Sequence, residues 1–368
     1  MKKPPVAVDL FCGCGGLSLG MRRAGISVLA GIDMDKSMKE TYELNIRGSR
    51  FITSDIRDVT KETILEIFDG HDGPKVLAGC APCRPFSSIN REGGRKHMDY
   101  GLLNYFASLI IDVKPDAVIM ENVPGLYTTG REVFSKFLAA LREIGLNPSF
   151  EPQLDFADYG IPQHRRRLIL VASRGEPRLS RRSHGHGTKK GYVTVRDAIG
   201  YLPEIAAGYR ENSVRGHSCK SLAEVNLTRI RLTPHDGGSR TDVPMGLWIP
   251  AHLRHKGHGD TYGRMKWDEP APTLTCKCMS ITNGRFAHPD QDRGISVREA
   301  ALLQGFPRTY KFPNNFEVAQ RCIGNAFPPL MAEKVARALL RSMESRAAEE
   351  TADSELVKEI DQSLPLGQ

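Results

Sequence analysis

Apolar positions cluster into short unbroken runs through the first half of the chain. "VAVDLF", "SVLAGID", "RFITSDI", "KVLAGC", "DAVIMENV" and "RRLILVAS" each end in or near a small or acidic residue. Such runs predict strands buried on both faces. Between several of them the apolar positions respace to the helical period, in "LSLGMRRAG", "KSMKETYELN", "YFASLIIDV" and "EVFSKFLAALREIG". The alternation predicts an α/β fold, a doubly wound parallel sheet of Rossmann-like type. Sheets of this type bind ligands beyond the carboxyl ends of their strands.

The pattern changes after Ser173. "RGEPRLSRRSHGHGTKKGY" is basic, Gly-rich and His-containing, and reads as a linker or loop. From about 192 to 290 the βα alternation is lost, which predicts a smaller, irregular domain. "PPLMAEKVARALLRSMES" regains helical spacing and predicts a helix returning to the first domain. The expected organisation is therefore 1–178, a ligand-binding domain; 179–317, a smaller domain; 318–345, a returning helix; and 346–368, a mobile acidic tail.

Charge adds a partner. The chain carries +8 overall, while the last 23 residues hold six acids and two bases, so the body carries +12. That excess predicts a polyanionic partner, with general solubility as the plainer reading. No apolar run is long enough to predict a membrane span, and "MKKPPVAVDLF" has no long apolar segment of a secretion signal. A cytoplasmic location is expected, with the eight cysteines as reduced thiols.

"VAVDLFCGCGGLSLG" reads as strand, glycine turn, helix. Gly13, Gly15 and Gly16 would let a ligand approach the backbone. Ser18 stands where a dinucleotide site wants its third glycine, which counts against NAD or FAD. Asp33 ends the second strand 20 residues after Gly13, where an acid can accept from ribose hydroxyls. Asp55, near the end of the third, could accept from an adenine amine. An adenosyl ligand without phosphates fits, and S-adenosylmethionine is the obvious one. A plain βα turn is the alternative.

"VLAGCAPCRPFSS" places Cys80 and Cys83 three apart. Zinc would need a second ligand pair, for which Cys12 and Cys14 or Cys276 and Cys278 could be recruited, yet Cys12 and Cys14 lie in the ligand turn, where a metal would block the ligand. A redox pair would open a thioredoxin-like helix. A single nucleophile would need partners, which "VIMENVPGL" supplies as Glu121 and Asn122 at the end of another strand. No metal is expected.

Taken together these segments resemble the cytosine-5 DNA methyltransferase family of bacterial restriction–modification type. "DLFCGCGG", "APCRPFS", "MENVPGL", "DYGIPQHRRRLILVAS", "SVREAALLQGFP" and "IGNAFPP" look like six of its motifs, in order. The resemblance covers roughly 6–173 and 267–340, and the unmatched 174–266 falls where this family carries its target-recognition domain. It implies an S-adenosylmethionine-dependent enzyme methylating carbon 5 of cytosine in duplex DNA, expected to act as a monomer, with a companion restriction endonuclease as the partner such a type can have. Cys83, Glu121 and Arg165 would be catalytic. Asp9, Phe11, Gly13, Gly15, Gly16, Asp33, Met34, Asp55, Ile56, Pro82 and Asn325 would hold the cofactor. Arg84, Ser87, Gln163, Arg165, Arg167 and Thr273 would contact DNA. Two positions depart from the family pattern: Arg84 follows the nucleophile where Gln is usual, and Met34 stands where a larger apolar residue often covers the adenine. RNA cytosine methylation and a catalytically silent DNA-binding homologue remain open alternatives at this point.

Overall fold

Seven strands line up in one sheet in this computed structural model, which describes residues 3–82, 86, 99–249, 253 and 259–363. Side chains of the last helix are described through 346. The strands are β1 (Val6–Leu10), β2 (Ser27–Asp33), β3 (Arg50–Thr53), β4 (Lys75–Gly79), β5 (Ala117–Asn122), β6 (Asn147–Asp155) and β7 (Arg166–Ser173). Their order is β3-β2-β1-β4-β5-β7-β6. All six expected runs are strands. β6 was not expected: "NPSFEPQLD" carries two prolines and no apolar run. It survives as the outermost strand, where missing N–H donors are tolerated, and its register slips between Glu151 and Leu154, around Pro152.

The sheet is not wholly parallel, which corrects the expectation. β7 pairs antiparallel with both β5 and β6. Its first residues therefore sit at the carboxyl ends of the parallel strands, with Asn122 opposite Leu168. The reversal follows from the short β6–β7 connection, a hairpin-like return that leaves no length for a crossover.

Helices cover both faces. On one lie α1 (Gly16–Ala24), and a final helix (Pro329–Ser363). Val335, Ala336 and Leu339 of that helix join Ala7, Val28, Ile119 and Val171 in one buried cluster. The two helices touch backbone to backbone: a Cβ added at Gly20 would lie 2.3 Å from the Ala332 Cβ. α2 (Lys39–Asn45) lies beside α1, its Tyr42 against Gly31 and Ser18, and on the other face α3 (Lys61–Phe68) precedes α4 (Leu102–Val113), α5 (Gly125–Thr128) and α6 (Arg131–Glu143), where Phe106 and Phe137 meet edge to face at 5.2 Å. The segment from 346, expected as a mobile tail, continues the final helix to Ser363. Its Ala, Glu, Leu and Lys content favours that extension.

Among the described residues, 179–317 form no large sheet, only a two-residue strand pair, Arg210–Glu211 with His217–Ser218, and short helices. Arginines organise part of this region. Arg264 is fully buried and donates to the backbone carbonyls of Ile230, Thr233, His288 and Gln291. Arg293, equally buried, forks onto Glu299 through two 2.7 Å bonds and also reaches Ile205 O. A polar scaffold of this kind produces no hydrophobic period, so the sequence pattern is silent there. The region has no clean edge at 317 either. Val297–Leu303, Phe306, Tyr310 and Phe316–Asn325 share a cluster with Cys14, Tyr42 and Phe51 of the sheet side, and the Tyr310 hydroxyl donates to Cys14 O.

His288 sits inside this scaffold as a neutral ring. Its Nδ1 accepts the backbone N–H groups of Asp290 (3.2 Å) and Gln291 (3.0 Å), which an imidazolium could not do. Burial moves its pKa from 6.5 down to about 4, against the pull of Glu299 and with help from Arg293. Glu299, held at about 2 despite its burial by Arg293 and His288, stays ionised throughout that window. The unfolded chain thus binds a proton that the native one refuses between pH 6.5 and 4. This contribution is complete above the unfolded value and is lost as pH falls. Thermal or urea unfolding should show a loss of about 2 kcal/mol between pH 7.5 and 5 from this group alone, and His288→Asn, which keeps an acceptor, should flatten that dependence. Identical pH profiles for the two proteins would refute the assignment.

Candidate active site

The turn after β1 is built from left-handed residues. Phe11 (φ 57°), Gly13 (φ 52°) and Gly15 (φ 92°) bend the chain so that backbone N–H groups line a cleft. The glycines serve different ends. A Cβ at Gly13 would meet nothing within 4 Å, so that position is glycine for its backbone angle and opens on the cleft. A Cβ at Gly16 would lie 2.3 Å from Phe327 O, so that one is glycine for close packing. Asp33 fixes the turn: its two carboxylate oxygens accept Gly13 N and Asp35 N, each at 2.8 Å.

Asp9 lies beneath the turn, fully buried. Ser18 donates to its Oδ2 at 2.6 Å and continues to Tyr42 and Ser49. Its Oδ1 has no hydrogen-bond partner among the described residues. Burial raises its pKa to about 7, and Asp33 adds to the rise. Sequence reading saw Ser18 as a missing glycine; the structure shows its hydroxyl holding Asp9. At the outer end of the cleft Met34 is exposed, and Ile56 is buried. Asp55 is engaged by Arg57 through bonds of 2.9 and 2.6 Å, which hold its carboxyl below the usual range. Asn325, at the end of the helix Phe316–Asn325, faces the same cleft, as does Pro82. Cys83, Arg84 and Ser87 lie outside the described residues.

The carboxyl ends of β4 and β5 meet in this cleft. Glu121 is buried, and Asn122 beside it donates to Ala81 O at 3.2 Å, tying β5 to the chain that leads into Pro82 and Cys83. Phe86 is a second tether that sequence reading missed. Its ring packs on Tyr100 at 5.3 Å, and its carbonyl lies where a Cβ on Gly125 would be, 1.9 Å away. The signal was present in Gly125 of "VPGL", a glycine with no left-handed angle to justify it. Cys80 is half-buried beside Glu121. Burial first, and the carboxylate second, push its thiol well above the ordinary range.

The "QHRRR" residues separate into distinct roles. Arg167, not Arg165, stands beside Glu121, Nε to Oε1 2.9 Å. The approach is off the hydrogen-bond line, and Oε1 is left buried without a hydrogen-bond donor. Arg165 is buried and donates to Leu274 O (3.0 Å) and Gly324 O (3.2 Å), clasping two later segments to the site. Gln163, expected at DNA, is fully buried instead. Its amide reaches Leu303 O and Gln304 Oε1, and its oxygen accepts Leu274 N at 2.9 Å. An amide with no exposed surface that bridges two later segments, Leu303–Gln304 and Leu274, has nothing left to offer DNA. Thr273 is partly exposed and lines the cleft, and its hydroxyl donates to His164 O at 2.6 Å.

The pattern extends across the whole chain in other proteins. A family model described as C-5 cytosine-specific DNA methylase matches residues 6–341. The chain belongs to the C-5 cytosine-specific DNA methylase family. This methylase is 41% identical to the Type II methylase M.HgiDII of Herpetosiphon aurantiacus over 345 residues, 92% of this chain and 95% of the relative. It is 29% identical to the Type II methyltransferase M1.HphI of Haemophilus parahaemolyticus, over 91% of this chain and 86% of that one. A prophage-encoded protein of E. coli shares its fold, with a TM-score of 0.72 and 22% identity over 92% of this chain and 99% of that chain.

The methylase is thus an enzyme acting on cytosine in DNA, built on a mixed α/β sheet. Its cleft, about 3200 Å³, far exceeds the ~300–1,000 Å³ of a small-molecule pocket. Among the described residues no group of His, Cys, Asp and Glu is poised for a metal, and no helix is long and apolar enough to cross a membrane.

Gln163 gives a direct test of its reassignment. Gln163→Leu removes three buried hydrogen bonds and strands their partners. It should lower stability by about 2–4 kcal/mol in denaturant unfolding. DNA affinity measured on the folded fraction should be unchanged, whereas a base or phosphate contact would show as weakened binding at equal stability.

Proposed function

We propose that the enzyme transfers the methyl group of S-adenosylmethionine to carbon 5 of a cytosine flipped out of duplex DNA, with Cys83 as nucleophile. The observation that supports this most is the convergence of Glu121, Arg167 and the Ala81–Pro82 entry to Cys83 on one cleft with the Asp33-fixed glycine turn.

The residues present suit the cofactor. Gly13 leaves room for close approach, Asp33 is held with its carboxylate at the ribose position, and Ile56 and exposed Met34 offer apolar contact for an adenine. Asp9 lies buried beneath a site that would receive a cation, and such a cation would favour the ionised form that burial disfavours. Asn325 and Pro82 would close the methionine end. When bound, the sulfonium supplies an electrophilic methyl group.

Carbon 5 of cytosine is too weak a nucleophile to take that methyl unaided. The Cys83 thiolate forms a bond to carbon 6, and the displaced electron pair makes carbon 5 an enamine carbon. Glu121 binds the ring edge at nitrogen 3 and the exocyclic amine, donating a proton as negative charge develops there. The orphaned Oε1 is the acceptor such an amine would fill. Arg167 holds that carboxyl in place, so it, rather than Arg165, is the positioning arginine; Arg165 keeps the walls together. After methyl transfer a base removes the carbon 5 proton, the carbon–sulfur bond breaks, and the aromatic ring returns with Cys83 as thiolate. Cys80 would take no part: it lies on the turn directly after β4, and burial first and Glu121 second favour its neutral thiol. A base stacked in a duplex cannot be approached on its face, so the target is flipped into the cleft. The irregular region 179–290 would read the surrounding sequence, and the enzyme would work as a monomer beside a restriction endonuclease.

DNA carrying 5-fluorocytosine at the target traps the adduct, since fluorine cannot leave as a proton does. Wild type and Cys80→Ser should both form an adduct that survives denaturing electrophoresis, and Cys83→Ser should form none. An adduct in Cys83→Ser, or its loss in folded Cys80→Ser, would overturn the assignment. Separately, Asp33→Ala should weaken cofactor binding by about 1–3 kcal/mol in calorimetry, the range for a lost bond to a charged group; an unaltered affinity would remove Asp33 from the site.

A further inference from the structure

The basic segment between β7 and α7 (Val195–Ile199), residues 174–192, is an ordered strap rather than a free linker. Six Lys or Arg and one Glu give it a net charge of +5, on a chain of +8. It is pinned at three places. Arg341 donates to Ser180 Oγ at 3.2 Å. Asp158 receives it repeatedly: its carbonyl accepts Ser183 N and His184 N, and its carboxylate meets Arg182 (3.3 Å) and the Tyr192 hydroxyl (3.3 Å). Tyr192 then sits edge-on between His164 (5.3 Å) and His186 (5.7 Å). The backbone is thus fixed while the cationic heads point out. The side chains of Arg178 and Arg182 are 83% and 69% exposed, and Arg181 is exposed too. Arg181, Lys189 and Lys190 have no acidic partner among the described residues.

Arg178, Arg181 and Arg182 line the same continuous cleft as Glu121 and Arg167, along the wall that runs outward past Arg166. Arg178 pairs with Glu176 at 2.9 Å and Arg182 with Asp158 at 3.3 Å, yet the strap keeps its net charge of +5 and Arg181 stands free of any acid among the described residues, so the fitting occupant of this outer wall of a DNA-binding cleft is a row of phosphates. We infer that the strap tracks the phosphate backbone of duplex DNA flanking the methylated site, contributing affinity and register without reading sequence. This rests on the proposed DNA-methylating reading and extends its contact area to one flank.

The test is the double variant Arg178→Gln/Arg181→Gln, whose positions are exposed and outside the cofactor and nucleophile machinery. The slope of log binding constant against log salt should fall by about two, near 0.9 for each phosphate contact removed. The methylated sequence by bisulfite sequencing, and the rate of 5-fluorocytosine adduct formation at saturating DNA, should stay as in wild type. Duplexes cut back to the methylated site on one side or the other localise the contact: on one of the two, wild type and variant should bind alike. An unchanged salt slope on long duplex, or a difference that persists on both shortened duplexes, would overturn the strap's role. A changed methylated sequence would instead make the strap a base reader and also overturn it. Failure of the underlying reading is distinguishable, because wild type would then form no adduct with DNA at all.

Discussion

The site depends on one strand running the wrong way. Because β7 opposes β5, its first residues arrive at the carboxyl edge of the sheet, where parallel strands place their functional side chains. Arg167 reaches Glu121 for that reason alone. Had the chain crossed over to enter β7 in parallel, Arg165 and Arg167 would emerge at the opposite edge, and Glu121 would be a buried carboxylate with no cation beside it. Such a charge is costly to keep. The proline-broken strand β6, with little apolar content of its own, exists to turn the chain around.

A second economy is the use of arginine as a framework. Arg165 ties the segments around Leu274 and Gly324 to the sheet, and Arg264 and Arg293 do the same deeper in the irregular region. Each guanidinium satisfies several carbonyls that no sheet ladder would reach, which is how chain without regular structure can be buried at all. Gln163 and Gln304 extend the device with amides, Gln304 reaching Ala326 O beside the cofactor turn. The result is a cleft whose walls come from distant parts of the chain and are fixed by these bonds together with apolar packing.

Hydrophobic period showed what is apolar and repetitive. The six strands and the helix pairing across the sheet were legible because burial on two faces leaves uninterrupted apolar runs. Direction was not: "RRLILVAS" looks the same in a parallel or an antiparallel neighbour. The site's members were legible as motifs, yet which arginine of "QHRRR" faces Glu121 depends on where β7 starts to pair, a register the letters do not carry. Gln163 and Thr273 were assigned to DNA by the family resemblance; the structure buries Gln163, whose oxygen accepts Leu274 N, and leaves Thr273 at the cleft with its hydroxyl on His164 O. Phe86 and Ser18 went unassigned because each acts through a neighbour, Gly125 or Asp9, that is distant in sequence.

The contact of Gly20 with Ala332 has a consequence in time. α1, which opens directly from the glycine turn, has its packing surface in a helix made more than three hundred residues later. Gly16 likewise rests on Phe327 O. Until that stretch has been synthesised, the first turn of the protein lacks the surface that holds its left-handed geometry. A growing chain can therefore expose its basic segments to nucleic acid well before it can shape the pocket for chemistry. The basic strap ends at Tyr192, so the synthesis of residues 193–332 separates its appearance from the packing of the first turn.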